Sequence, residues 1–109
     1  MRGPGGNMND IFRKAQKMQE ELAKMQEGLK DRTVEASAGG GAVTVTANGL
    51  KQVMSVKIDK GLVESGDVDM LQDLVTAAVN EALSKAQETA DEESKKIAGG
   101  LGLNLPGMF

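Results

Sequence analysis

The sequence predicts an α+β protomer of order α-β-β-β-α, with a three-stranded antiparallel sheet flanked by two long helices. Three observations predict it. A heptad-spaced apolar seam runs through the first 30 residues, the middle of the chain alternates apolar and polar side chains, and a second helical stripe occupies residues 71–86. At 109 residues the chain has the length of one domain.

The opening "MRGPGGN" is rich in glycine and proline, so residues 1–8 read as a disordered leader. Asn9 then offers a helix cap, and Asp10 stands in the first turn, where the helix dipole favours negative charge. Ile11, Ala15, Met18, Leu22, Met25 and Leu29 follow at alternating steps of four and three. That spacing predicts a helix over 9–30, about 33 Å long at 1.5 Å per residue. Its seam fits either a partner helix or an internal contact with the second helix and the sheet.

"TVEASA" is a short strand candidate, and "AVTVTA" sets Val43 and Val45 against Thr44 and Thr46. "KQVMSVKI" places Met54, Val56 and Ile58 on one face and Val53, Ser55 and Lys57 on the other. Alternation with β-branched residues predicts half-buried strands. Asn48-Gly49 reads as a tight two-residue hairpin turn with positive φ at both positions. Gly39-Gly40-Gly41 has two readings, a phosphate cradle or a turn. A cradle delivers the chain into a helix N-terminus, whereas these glycines enter a strand and no Lys-Ser or Lys-Thr pair follows. They read as a flexible hairpin loop.

"DKGLVESGD" reads as a polar connection, and Asp67 as the N-cap of the second helix, with Asp69 and Asp73 near its positive end. Leu71, Leu74, Val75, Ala78, Val79, Ala82, Leu83 and Ala86 line one face. In "QETADEESKK" the stripe thins to Ala90, so the helix is expected to continue as a solvated projection. The single domain is expected over 9–98. Residues 99–109 form a glycine- and leucine-rich tail whose Leu101, Leu103, Leu105, Met108 and Phe109 either dock or stay mobile.

Composition narrows the function. Cys, His, Trp and Tyr are all absent, which removes thiolate chemistry, the usual neutral-pH base and the commonest metal ligands. No catalytic residue, metal site, cofactor or small-molecule substrate is expected, and the chain does not read as an enzyme. No apolar run approaches the roughly 18 residues of a membrane span, and the start lacks a signal peptide's apolar stretch, so a cytoplasmic location is expected. Only Phe12 and Phe109 are aromatic. A small core rich in Met and Ala suggests stability borrowed from a second copy, hence a homodimer.

The net charge of −3 divides into +3 over residues 1–60 and −6 over 61–109. Arg13, Lys17 and Lys24 lie along one stripe opposite the apolar seam, with Lys14 beside them. Such a stripe contacts backbone phosphates without reading sequence, or it is a solvated face balanced by its own acids at i,i+4: Asp10 with Lys14, Lys17 with Glu21, Glu20 with Lys24. Spacing alone favours the solvated face. Lys51, Lys57 and Lys60 belong to the third strand and its exit, where lysines commonly protect a sheet edge. A stacking platform for nucleic acid needs surface aromatics between them, and there are none.

Taken in order, "MNDIFRKAQKMQEELAKMQEGL", "GGGAVTVTANGLKQVMSVKID", "MLQDLVTAAVNEALSKAQE" and "GGLGLNLPGMF" resemble the YbaB/EbfC family of bacterial nucleoid-associated proteins. The resemblance covers nearly the whole chain after the leader. It implies a tweezer-like homodimer whose helices project from a central sheet, bind double-stranded DNA and associate with the nucleoid, with effects on gene expression. DNA contacts attributed to projecting helices would fall here on Arg13, Lys14 and Lys17 of the first helix, and on Lys85, Lys95 and Lys96 of the second. A rival reading is an interaction or scaffolding dimer linked to replication and recombination, in which the acidic helix and apolar tail recruit a protein partner.

Overall fold

The computed structural model describes residues 8–100. The elements are α1 (Met8–Asp31), β1 (Thr33–Ala38), β2 (Val43–Asn48), β3 (Val53–Ile58), α2 (Lys60–Glu64) and α3 (Val68–Gly100). This is the expected α+β order with one short helix added. The leader up to Asn7 and the tail from Leu101 lie outside the described residues. Met8 is already helical, so Asn9 sits inside the first turn of α1 rather than capping it, and α3 runs through Gly99 and Gly100.

The sheet is antiparallel in the order β1-β2-β3. Cross-strand partners share a face, and the register pairs Ala36 with Val45, Ala38 with Val43, Val45 with Val56, and Val43 with Ile58. One face is therefore apolar throughout. The other carries Ser37, Thr44, Thr46, Ser55 and Lys57, with the Ser37 and Thr44 hydroxyls 3.0 Å apart. α3 lies across the apolar face over β1 and β2. The core consists of Ala36, Val43, Val45 and Ala47 from the sheet and Ala78 and Ala82 from α3, flanked by Leu62, Leu74, Val75, Val79 and Leu83. Leu62 explains α2: the stretch expected as a polar connection makes one helical turn that brings this side chain onto the core.

Three local expectations are corrected. The hairpin between β2 and β3 is not a two-residue Asn-Gly turn. It spans residues 49–52, and its left-handed residue is Lys51, with φ of 63°. The buried Asn48 side chain organises it, its Oδ1 accepting from the backbone N–H groups of Leu50 (3.0 Å) and Gln52 (3.1 Å), an Asx-type turn. A register shift between Thr46 and Ala47 sets Val53 opposite Ala47, so this bulge takes Val53 out of the expected alternation. Finally, Val53, Met54, Val56 and Ile58 are exposed rather than half-buried, because α3 covers only β1 and β2. The triple glycine is a turn, as read: Gly39, Gly40 and Gly41 take φ of 67°, 67° and 98°.

α1 is fastened to the hairpin at its C-terminal end. The Gly49 N–H donates to the carbonyls of Leu29 and Arg32, both at 2.9 Å, satisfying acceptors that a helix end leaves open. Asp67 caps α3, its Oδ1 accepting from the Met70 N–H at 3.0 Å. The described chain measures 78 × 24 × 17 Å, with a radius of gyration of 20.7 Å. A compact domain of this length would have about 13 Å. The two long helices make the difference.

Candidate nucleic-acid interface

α1 and the distal half of α3 run side by side in opposite directions. The contacts that show it pair descending positions of α1 with ascending positions of α3. Arg32, just past α1, forms an ion pair with Glu93, the Ser94 hydroxyl lies 3.6 Å from Met25 Sδ, and Lys17 and Glu21 share a cleft of about 400 Å³ with Lys96, Ile97 and Gly100. The heptad seam of α1 is thus in part an internal contact. Leu29 is buried, and Met18 and Met25 are half-buried.

This antiparallel pairing decides which cations converge. Arg13, Lys14 and Lys17 line a second, shallow cleft of about 200 Å³ together with Asp10. Lys17 belongs to both clefts, so Arg13, Lys14, Lys17 and Lys96 form one continuous set spanning two helices. Lys96 Nζ lies 3.3 Å from Glu93 Oε1 but remains 71% exposed, and an exposed pair of this kind costs little to break. Lys95 is exposed on α3 and lines neither cleft. Lys85 stands apart: 11 residues back along α3, its Nζ donates to the Glu35 carbonyl of β1 at 2.9 Å. The arrangement brings together four of the six candidates.

Among the described residues, the ion pairs within 4.0 Å are Arg32–Glu93 and Lys96–Glu93. The Lys17–Glu21 and Glu20–Lys24 pairs expected along α1 are not among them. Lys51, in the hairpin, donates to Gln87 Oε1 at 2.6 Å, while Lys57 on β3 and Lys60 at the start of α2 are exposed. Two features escaped sequence reasoning. Arg32 fastens the base of α1 to α3 across 61 positions of sequence, which no local spacing signals. Lys17 and Lys96 meet only because the helices are antiparallel and in this register. Among the described residues no group of three or more metal-ligating side chains occurs, and no helix is long and apolar enough to cross a membrane.

Comparison with known proteins adds an independent line. The model of the YbaB/EbfC DNA-binding family matches residues 4–101. A nucleoid-associated protein of Acetivibrio thermocellus is 55% identical over 107 residues, covering 98% of this chain and 94% of that protein. Another nucleoid-associated protein, from Ruminiclostridium cellulolyticum, is 51% identical over 107 residues, covering 98% and 92%. The crystal structure of the uncharacterized protein HP0035 from Helicobacter pylori superposes with a TM-score of 0.65 at 26% identity, covering 76% of this chain and 96% of that one. The order of elements, the match along almost the whole chain and these relatives agree: the chain belongs to the YbaB/EbfC DNA-binding family.

Proposed function

We propose that this chain is a nucleoid-associated protein of the bacterial cytoplasm that binds double-stranded DNA as a homodimer, with consequences for nucleoid organisation and gene expression. One observation carries the reading: Arg13, Lys14, Lys17 and Lys96 gather on one arm in a chain whose family is described by DNA binding. These cations contact phosphates, Lys95 adds charge on the same stretch of α3, and Lys85 makes a lesser contact from the sheet edge. Phosphate contacts position a protein without reporting base identity, and a single exposed aromatic, Phe12, stands beside these cations among the described residues, too few for a platform on which successive bases stack. Sequence preference is therefore weak. The same residue inventory gives no catalytic role to any side chain.

Dimerisation is inferred from β3. Its Val53, Met54, Val56 and Ile58 are exposed, and Val56 and Ile58 continue the very face that α3 buries over the neighbouring strands. Isolated exposed apolar residues are ordinary, whereas a contiguous apolar strip beside a core marks an interface. A second copy covers this strip and presents a second arm.

Fluorescence anisotropy of a labelled duplex, titrated with salt, tests the DNA reading. Affinity falls with ionic strength, with a log–log slope of about 0.9 for every phosphate neutralised. Replacing Arg13 and Lys17 by Gln weakens binding and flattens the slope, with helix content unchanged, since both side chains are exposed. Binding that is undetectable even at low ionic strength overturns the reading and leaves the acidic exposed face of α3 to a protein partner.

A further inference from the structure

Asn48-Gly49 is the one place in the sequence where an asparagine precedes a glycine; Asn7, Asn9, Asn80 and Asn104 precede Met, Asp, Glu and Leu. An asparagine in that position can modify itself. The backbone nitrogen of the next residue attacks the side-chain carbonyl carbon, ammonia leaves, and a five-membered succinimide remains. Glycine favours the step, since no β-carbon shields its nitrogen and its backbone bends freely. Both residues are nonetheless required here. Asn48 organises the hairpin, and a β-carbon at Gly49 would stand 2.9 Å from Leu29 Cβ and 3.0 Å from the Leu29 carbonyl oxygen.

The fold holds both reacting groups. Asn48 is 1% exposed, its Oδ1 accepts from the Leu50 and Gln52 N–H groups at 3.0 and 3.1 Å, and its Nδ2 donates to Gln52 Oε1 at 2.7 Å. The attacking nitrogen belongs to Gly49, itself buried. Its proton, which must leave before the nitrogen can attack, is shared between the carbonyls of Leu29 and Arg32, each at 2.9 Å. Both acceptors come from the C-terminal end of α1 and the residue just past it. That end is thinly held. Leu29 is the buried residue of α1, and the nearby ion pair with Glu93 leaves the Arg32 side chain 48% exposed. Few buried contacts mark the parts of a fold that open at low cost.

We propose that Asn48-Gly49 is a self-modification site kept closed by the end of α1. When Leu29 and Arg32 leave the hairpin, the Gly49 nitrogen bonds to Asn48 Cγ and the Cγ–Nδ2 bond breaks. The Gly49 proton passes through solvent to the departing nitrogen, which leaves as ammonia. Water then opens the succinimide, at one carbonyl to aspartate and at the other to isoaspartate. Either product carries a carboxylate, which adds a negative charge where the fold excludes water and charge is costly. The isoaspartyl product also lengthens the main chain by one methylene ahead of the Gly49 N–H, which then no longer meets both carbonyls. Each event therefore loosens the fastening of α1 and does not reverse. Neither DNA nor a second copy takes part, so the step stands or falls apart from both.

Peptide mapping by mass spectrometry of the full chain, held in mildly alkaline buffer, reads the exchange of the Asn48 amide for a carboxyl group. In urea that unfolds the chain the peptide carrying Asn48 converts readily, and in the folded protein it converts at least about a hundredfold more slowly. Comparable rates in the two states overturn the protection, and no conversion in urea overturns the site. Leu29→Ala removes the packing that seats α1 and raises the native rate about tenfold or more, with amide exchange at Val43 and Val45 still slow. An unchanged native rate in that variant overturns α1 as the gate. The parent protein in urea below its unfolding transition gives a second check that does not require the variant to fold. There the rate varies little with urea, since a local opening exposes little surface. A rate that climbs in proportion to the unfolded fraction overturns the gate as well. Converted protein, separated by its added charge, exchanges the Gly49 amide proton faster than the parent, and an unchanged exchange rate overturns the loosening.

Discussion

Asn48 and Gly49 bring three elements together within two residues. Asn48 is buried with its polar atoms engaged, its Nδ2 donating to Gln52 Oε1 at 2.7 Å while Oδ1 holds the hairpin backbone. Gly49 serves a different purpose, because α1 ends against it. A β-carbon at Gly49 would stand 2.6 Å from Leu29 Cδ2, 2.9 Å from Leu29 Cβ and 3.0 Å from the Leu29 carbonyl oxygen. The Leu29 Cδ2 atom can rotate away, but its Cβ and carbonyl cannot. At Gly40 the reverse holds: open space surrounds the position, and only its φ of +67° opposes a side chain. Gly49→Ala is expected to lower the unfolding free energy by about 2–3 kcal/mol, as overpacking does. Gly40→Ala should lower it by about 1 kcal/mol, the cost of a left-handed alanine. Urea denaturation of the two variants against the parent measures both, and equal losses would contradict the close contact at Leu29.

At the scale of elements, α3 packs through alanine. Ala78, Ala82 and Ala86 are fully buried, and side chains this small let a helix lie close to a sheet whose own core residues are Ala36, Val43, Val45 and Ala47. Ala82→Leu therefore meets a filled site and is expected to destabilise by about 1–3 kcal/mol in thermal or chemical unfolding, whereas Ala77→Leu, exposed on the same helix, should change stability little. Such periodicity is what makes an element legible before its structure is known. The three-four spacing of α1, the alternation of Val43 to Thr46 and the stripe of α3 each repeat often enough to identify their elements. α2 has five residues, too few to show a period, and it forms because Leu62 finds the core. The bulge at Val53 and the four-residue hairpin were illegible for a related reason. Both depend on how two strands meet and on one buried side chain, Asn48, and neither depends on local pattern.

For the whole molecule, charge was legible but convergence was not. Arg13, Lys14 and Lys17 share a stretch of helix, so their grouping follows from spacing. Their meeting with Lys96, and the separation of Lys85, follow from the antiparallel register of α1 and α3. The apolar strip on β3 likewise required the position of α3 to be seen. Val56→Asp places a charge in that strip. It is expected to convert the proposed dimer to a folded monomer, read as a halved mass by light scattering with the helical signal retained. A parent protein that is monomeric at every concentration would contradict the proposed interface. The overall shape carries one more consequence. α1 is fastened at its base, where Gly49 and Arg32 hold it, and Leu29 and Met8 are 21 residues apart, or about 32 Å. It is thus a lever with its fulcrum at the hairpin. A tilt of only about 10° there carries Met8 through roughly 5 Å at that helix length. In the proposed dimer, the span between two such arms is set by the stiffness of the contacts around Gly49 together with the packing of α1 on the distal half of α3.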